Sequence, residues 1–269
     1  MDEPGNNDNE IAVEQPVITS RPCRRCRNLV DSEDMICPAC GARNLDSTGA
    51  AVKAPVHVAD QALLTVCACY GVILGMDVLW GIGLSNSAIT APMDLLISIV
   101  LIDAAFVTIA LIAAWKTRFL PSTCEVRHSS LFAWGVALPI LALALAGNWT
   151  YHWVLINEFG IPVGDDYWER LGSLTAGILL ICVSPAIIEE FFFRGVAWKA
   201  LRAHMGPHAT ILVTSAMFGM AHIGVPLSVP VLFGIGIVLG YLRLWSGGLA
   251  LPMLVHFLHN LAFTLSADS

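Results

Sequence analysis

Seven long apolar segments constrain the fold of this chain more than any other feature of its sequence. They lie at about residues 61–84, 92–115, 131–156, 172–201, 209–223, 229–245 and 249–266. A helix needs about 20 mostly apolar residues to cross about 30 Å of hydrocarbon. The fifth segment, closed by Gly224 and Pro226, is short, so it can span only where other helices shield it. The pattern predicts an all-α fold, a polytopic transmembrane helical bundle of about seven spans.

The composition agrees with a membrane protein and excludes an ordinary soluble domain. The chain is 56% hydrophobic and 13% charged, whereas soluble domains are about 45–50% apolar and about 25% charged. So few charges cannot cover a water-facing surface, and membrane lipid is the expected surrounding. No apolar run precedes residue 61, which predicts no cleavable signal peptide. Outside the cysteine-rich segment there is no basic cluster with interleaved aromatic residues, so we expect no nucleic acid partner.

The basic residues predict the orientation of the bundle. If seven spans alternate, every Lys and Arg except Arg170 falls on the same side as the N-terminal segment. Arg170 lies in an acidic loop with Asp165, Asp166 and Glu169. Cytoplasmic loops carry the excess of Lys and Arg, so we expect the N-terminus in the cytoplasm and the C-terminus outside.

Three regions precede the first span. Residues 1–20 are acidic and contain no basic residue, which predicts a disordered tail. Residues 21–45 contain two regularly spaced cysteine pairs and are predicted to form a small zinc ribbon. Residues 46–60 are then a linker to the first helix.

The zinc prediction depends on two CxxC pairs. Cys23 and Cys26 are separated by ten residues from Cys37 and Cys40. Four thiolates suit tetrahedral zinc, and a site whose ligands all come from protein is structural. The alternatives are a pair of disulfides or a redox CxxC motif, which a cytoplasmic segment disfavours because thiols there stay reduced. We expect a structural zinc in a module that binds a protein partner.

The fourth apolar segment ends with a charged motif. Glu189 and Glu190 precede three phenylalanines, and Arg194 follows them. Charges inside a membrane are costly and mark functional sites by default. Glu190 and Arg194 are spaced i,i+4 and can form an ion pair, while Glu189 is rotated by about 100° and can face a different environment. The alternative is a helix end that reaches the interface with a solvated salt bridge.

Two later segments supply polar residues at a similar depth. The fifth carries Phe218-x-x-x-His222, and the seventh carries His256-x-x-x-Asn260, whose spacing places both side chains on one face. Counted at about 1.5 Å per residue from the cytoplasmic helix ends, these polar residues and Glu189 lie about 12–21 Å deep. A lone membrane histidine is more often a packing residue, but the common depth predicts one site.

Together the three motifs resemble those of a known family. They are, in order, Glu189-Glu190-x-x-x-Arg194, Phe218-x-x-x-His222 and His256-x-x-x-Asn260. They are similar to the motifs of the CPBP family, the CAAX proteases and bacteriocin-processing enzymes also called the Abi family. The resemblance covers residues 172–266, predicted to be the protease core, and leaves residues 61–171 as N-terminal transmembrane helices. The cysteine-rich segment is not part of the family core.

The resemblance implies an intramembrane endopeptidase. Its substrate would be a peptide bond near the C-terminus of a membrane-associated or prenylated protein, or a peptide to be processed. Glu189 and His222 would hold and deprotonate the attacking water. His256 and Asn260 would donate to the tetrahedral intermediate.

The resemblance gives Glu190, Arg194 and Phe218 supporting roles, the first two fixing the helix end. The family is often labelled metalloprotease, and a glutamate with two histidines could bind zinc. The sequence lacks HExxH, whose histidines supply two ligands from one helix, and asparagine is a poor zinc ligand. These residues favour a metal-free mechanism over a catalytic metal.

Two other functions are compatible with the same spans. A non-catalytic membrane immunity or scaffold protein could keep the motifs for structure. A small transporter is suggested by Asp77 and Asp103 in the first two segments. A helix–helix hydrogen bond explains Asp103 better than transport does, and the sequence shows no paired broken helices of the kind that transporters use.

Overall fold

The computed structural model describes residues 20–23, 29–31, 56–85, 91–117, 131–161 and 171–266. Seven helices form the membrane part of these residues. They are α1 (Val56–Ser85), α2 (Pro92–Lys116), α3 (Leu131–Asn157), α4 (Leu174–Arg202), α5 (Pro207–Met220), α6 (Val229–Ser246) and α7 (Ala250–Ser266). A short 3-10 turn, Pro226–Ser228, leads into α6. The all-α fold predicted from the seven apolar segments is confirmed.

Several helix ends follow directly from the local sequence. Prolines occupy the first turns of α2 and α5, where the missing N–H would have no partner inside the helix. Ser173 caps α4, because its Oγ accepts a hydrogen bond from the N–H of Ala176. Gly247 ends α6 with a φ of 70°, a left-handed conformation that glycine adopts without strain.

Helix α4 is not a regular α-helix. Its α-helical turns lie at Leu174–Gly177, Ser184–Glu190 and Trp198–Arg202, and π-helical stretches lie between them at Ile178–Val183 and Phe191–Ala197. Stretches with π geometry are rare and occur frequently at functional sites. They enclose about two α-helical turns, which carry both glutamates, between two wider stretches.

Among the described residues, two large apolar clusters hold the bundle together, and a smaller one lies among α4, α5 and α6. One lies among α1, α2, α4 and α5, where Phe106, Phe192 and Phe193 pack edge to face. The other lies among α3, α6 and α7 and includes Leu239 and Leu251. Of the five longest apolar helices, α4 and α6 are the most buried, with 33% and 39% of their apolar windows inside the protein. The helices with the three motifs come from both clusters, so the motifs meet between them.

Helices α5 and α6 approach until their backbones touch. A Cβ atom on Gly236 would lie 2.9 Å from Cβ of Ser215, and one on Gly240 would lie 2.9 Å from Cγ2 of Ile211. Small residues four apart let membrane helices pack this closely without a hydrophobic driving force. This packing brings the Gly236 carbonyl to the side chain of Arg194.

Five of the described helices are long and apolar enough to cross a membrane, namely α1 to α4 and α6 with its leading turn. These helices support an integral membrane protein. Helix α7 is a shorter apolar helix, and α5 has only 14 residues. Both pack against α4 and α6, while Leu212 and Met220 of α5 remain exposed.

The cysteine-rich segment is described only in part. Ser20–Pro22 and Leu29–Asp31 pair as two antiparallel strands, β1 and β2, with Val30 buried. Cys23 follows β1 directly and is also buried.

The other predicted zinc ligands, Cys26, Cys37 and Cys40, lie outside the described residues, as do residues 1–19 and 46–55. Ser20, predicted to end the tail, belongs to β1, and residues 56–60, predicted to end the linker, already belong to α1. Outside the described residues, the acidic tail, the linker and the zinc ribbon stay predictions.

Three of the basic residues that predict the orientation are buried in the bundle, namely Arg194, Arg202 and Arg243. They lie near the ends of α4 and α6, where the rule still counts them. The cytoplasmic N-terminus stays a prediction.

Candidate active site

The two glutamates of α4 lie in different environments. Glu190 is fully buried, and its Oε1 accepts a hydrogen bond from Nη1 of Arg194 at 2.9 Å. The i,i+4 ion pair predicted from the sequence is thus confirmed. The Glu189 side chain is 12% exposed and lines a cavity inside the bundle. A rotation of about 100° between neighbouring helix positions separates the two carboxylates.

Two imidazoles approach the Glu189 carboxylate, one from the turn after α5 and one from α7. Nε2 of His222 lies 3.8 Å from Oε1, and Nε2 of His256 lies 4.0 Å from Oε2. Both distances exceed the 2.7–3.2 Å of direct hydrogen bonds. Such a gap between polar atoms fits a bridging water molecule. The structure therefore brings together three of the four residues predicted to be catalytic.

The hydrogen-bond partner of Nδ1 determines which ring nitrogen of His222 and of His256 carries the proton. Nδ1 of His222 lies 3.0 Å from the Phe218 carbonyl, and Nδ1 of His256 lies 3.1 Å from Oε1 of Glu190. Both partners can only accept, so each Nδ1 carries the proton and donates. In the neutral ring, Nε2 then presents its lone pair toward Glu189. His222 and His256 can therefore accept a proton on the side that faces the cavity.

Asn260 is bound to the first π-helical stretch of α4. Its Nδ2 donates to the carbonyl oxygen of Ile181 at 3.1 Å, and its Oδ1 lies 3.4 Å from Nδ1 of His259. The amide has a second N–H, which remains available to a bound substrate. Nε2 of His259 in turn lies 3.4 Å from Nδ2 of Asn148 on α3. Asn260 thus lines the cavity with its carboxamide held by two neighbours.

Phe218 supports the site with its ring. The Arg194 guanidinium lies over this ring at 4.6 Å, a cation–π contact. The ring also contacts the imidazoles of His222 and His256, at centroid distances of 5.3 and 5.6 Å. Phe218 carries no reactive group, so its contribution is to hold the arginine and both histidines in place.

The cavity has a volume of about 310 Å³ and is lined by residues from all seven described helices. Most of its lining residues are apolar. Asp103 lines it and accepts a hydrogen bond from Ser184 Oγ, so the predicted helix–helix bond is confirmed.

Asn148 and His152, both on α3, also line the cavity, and the sequence analysis does not identify them. Their i,i+4 spacing in an apolar helix was a usable signal, since polar residues in spans mark functional sites.

The geometry of the three central side chains does not match a zinc shell. Ligand atoms about 2.0–2.1 Å from a tetrahedral zinc lie about 3.4 Å from one another, whereas the Glu189 oxygens lie 3.8 and 4.0 Å from the imidazole nitrogens. Within the residues that the structure describes, no group of three His, Cys, Asp or Glu side chains is placed to hold a metal ion.

Residues 171–262 match the family model described as "Type II CAAX prenyl endopeptidase Rce1-like". This part of the chain is similar to the CAAX prenyl endopeptidases. At family level, the match supports a peptidase, an intramembrane protease of the CAAX type. The matched region runs from the start of α4 into α7 and so contains all three motifs. Neither the curated proteins nor the solved structures gave a match to the chain.

Proposed function

We propose that the protein is an intramembrane endopeptidase that hydrolyses a peptide bond with a water molecule activated by Glu189 and His222. The observation that carries the proposal is the Glu189 carboxylate, placed 3.8 and 4.0 Å from two imidazole nitrogens beside the cavity. A water molecule hydrogen-bonded to both Glu189 and His222 fits this gap. Both groups can accept its proton.

The reaction follows the ordinary course of peptide hydrolysis. The water oxygen attacks the carbonyl carbon of the scissile bond, and its proton passes to Glu189 or His222. The tetrahedral intermediate then collapses, the C–N bond breaks, and the same proton is returned to the leaving amine. The group that takes the proton, Glu189 or His222, is thus base in the first step and acid in the second.

His256 and Asn260 are placed to stabilise the negative charge of the intermediate. Asn260 can donate its second amide N–H to the oxyanion. His256 can donate from Nε2 only as the imidazolium, because its Nδ1 proton is engaged with Glu190. The buried Glu190 carboxylate stabilises that cation. Glu190 therefore supports His256 as well as Arg194.

The surroundings of the site favour a membrane-associated substrate. The cavity lies between helices that span the membrane, and its lining is mainly apolar. A peptide bond near the C-terminus of a lipid-anchored or prenylated protein, or a short apolar peptide, fits this setting. Membrane lipid and a protein or peptide substrate are the partners that we propose, with a separate protein partner for the cysteine-rich segment.

The test is peptide cleavage by the purified full chain in detergent. Glu189→Gln keeps the size and hydrogen bonding of the side chain but cannot accept a proton, so turnover should fall by about 10²–10⁴-fold while the protein stays folded. The variant should keep the melting temperature of the wild-type protein.

A Glu189→Gln protein with full cleavage activity would refute the catalytic assignment. A wild-type chain that cleaves no peptide, prenylated or not, would favour the scaffold or immunity function. Comparing the proteins in membranes that contain wild type or Glu189→Ala would then identify the natural substrate by its accumulation.

A further inference from the structure

Helix α1 holds the turn that carries His222. Helix α5 ends at Met220, and the chain passes through consecutive turns before Pro226. His222 lies in these turns, so the regular geometry of a helix does not fix its position. The backbone N–H groups of His222 and Val225 donate to carbonyls within the turns, those of Gly219 and His222.

The N–H of Gly224 has a different acceptor. It donates to Oδ2 of Asp77 on α1 at 2.6 Å. A backbone N–H that lacks a partner is costly in a membrane interior, where no bulk water can replace it. A carboxylate accepts such a bond more strongly than a neutral group does. The side chain of Asp77 therefore ties the turn to α1 two residues after His222.

Two glycines let α1 come close enough for this bond. A Cβ atom on Gly81 would lie 2.6 Å from Cα of Gly224, and one on Gly224 would lie 2.7 Å from the Asp77 carbonyl oxygen. Real Cβ atoms do not come this close to backbone, so neither position has room for a side chain. Two turns before Asp77 on α1, the Tyr70 hydroxyl donates to the Met217 carbonyl at 2.8 Å.

These contacts lie on one stripe of α1. Tyr70, Asp77 and Gly81 are spaced seven and four residues apart, which places them on one face of the helix. All three contact the backbone of α5 or of its following turn, so these contacts depend little on neighbouring side chains. Helix α1 thus holds the end of α5 and the following turn in place along one of its faces.

We infer that Asp77 is a positioning residue for the proposed peptidase reaction: with Gly81, it fixes the turn that directs Nε2 of His222 toward Glu189. The inference rests on the proposed function and extends the site to a helix outside the matched region. Because the backbone of His222 is part of this turn, a shift of the turn changes the 3.8 Å gap between Nε2 of His222 and Glu189. A misplacement of about 1 Å can cost about 10²-fold in rate.

Amide hydrogen exchange of the full chain in detergent tests the hydrogen bond from the Gly224 N–H to Asp77, the clamp on the turn, without any assay of activity. In Asp77→Ala, exchange in the 221–226 segment should be about tenfold faster or more, because the Gly224 N–H loses its acceptor. Asp77→Asn keeps an acceptor oxygen and should restore protection. Asp103→Ala is the matched control, since this carboxylate lines the same cavity but bonds to Ser184. Unchanged exchange in Asp77→Ala would overturn the clamp.

Kinetics test the role in the reaction. Asp77→Ala should lower kcat by about 10–10²-fold with little change in KM, and Asp77→Asn should recover most of the loss. In a His222→Gln background, Asp77→Ala should cause little further loss, because both changes disable the same group. A full additional loss in that background would contradict positioning through His222.

A second pair of variants tests the inference if Asp77→Ala folds poorly. Gly81→Ala leaves the carboxylate intact but separates the two backbones, whereas Gly75→Ala on the same helix meets no atom within 4 Å. Faster exchange at 221–226 and a lower kcat only in Gly81→Ala would support the inference, and equal behaviour of both variants would refute it. An inactive wild-type chain would refute the proposed function, while hydrogen exchange would still decide on the clamp.

Discussion

At the scale of single residues, two adjacent carboxylates have different surroundings. Oε1 of Glu190 accepts hydrogen bonds from both Arg194 and His256 and is wholly buried. Glu189 has two imidazoles near it at distances too long for direct bonds. Glu190 holds its partners through Oε1, while its Oε2 has no hydrogen-bond partner among the described residues. Glu189 faces the cavity, where its carboxylate can meet a water molecule or a substrate.

The buried pair leads to a prediction about stability. Glu190→Gln leaves the Arg194 guanidinium without its counter-charge in a low-dielectric interior. Breaking such a pair from one side typically costs about 3–5 kcal/mol, so the melting temperature in detergent should fall sharply. Glu189→Gln, the matched change one residue earlier, should melt close to wild type.

Removing both charges provides the control for this prediction. Replacing Glu190 by Gln together with Arg194 by Met leaves no unpaired charge, so part of the lost stability should return. If instead Glu189→Gln is the unstable variant and Glu190→Gln is stable but inactive, the two glutamates have exchanged roles.

At the scale of elements, glycine positions on α6 determine how closely it can pack. The Gly236 carbonyl accepts a bond from Nη2 of Arg194 at 2.9 Å, and α5 touches the same residue from the other side. A helix with larger residues there would stand further from α5. The ion pair of α4 would then lose one of its backbone acceptors.

Substitution of two glycines on α6 tests this account. Gly236→Ala places a Cβ atom 2.9 Å from Ser215, and such overpacking should lower the free energy of unfolding by about 1–3 kcal/mol. Gly234→Ala meets no atom within 4 Å and should gain about 0.5–1 kcal/mol from helix propensity. Thermal melts of the two variants should therefore shift in opposite directions. A shift in the same direction would show that close packing at Gly236 does not limit stability.

At the scale of the whole molecule, the orientation in the membrane is testable in intact cells. Single cysteines placed in the 116–130 and 158–169 loops report the two sides. The first should be protected from an impermeant thiol reagent and the second accessible, because cytoplasmic loops carry the basic excess. Accessibility of both loops, or the reverse pattern, would rule out the predicted topology.

The cysteine-rich segment provides the other prediction at this scale. Mutation of Cys37 and Cys40 to Ser should remove about one zinc per chain and unfold only this segment, because the metal supplies the folding free energy of such small domains. Elemental analysis of the intact protein checks it, and absence of zinc would exclude the ribbon. A second zinc that disappears in His222→Ala would show that the reaction uses a metal after all.

The sequence by itself determined the features that depend on local geometry, namely the helices and the ion pair within α4. The seven helices follow from runs of apolar residues, and the pair of Glu190 and Arg194 follows from i,i+4 spacing within one helix. Depth counted along the helices was enough to bring Glu189, His222 and His256 to one level. Each of these inferences depends on residues close together in the chain, or on the fixed thickness of the membrane.

Only the tertiary structure decided the contacts between distant parts of the chain. Asp77 and Gly224 are 147 residues apart, and Asn148 lies 111 residues from His259. No periodicity encodes such pairs, because they depend on which helices become neighbours and on how closely their backbones approach. The π-helical stretches of α4 were equally unpredicted, since apolar residues that suit an α-helix also suit a wider turn. Which of these geometries forms is decided by the packing of α4 against its neighbours, and that packing exists only in the folded protein.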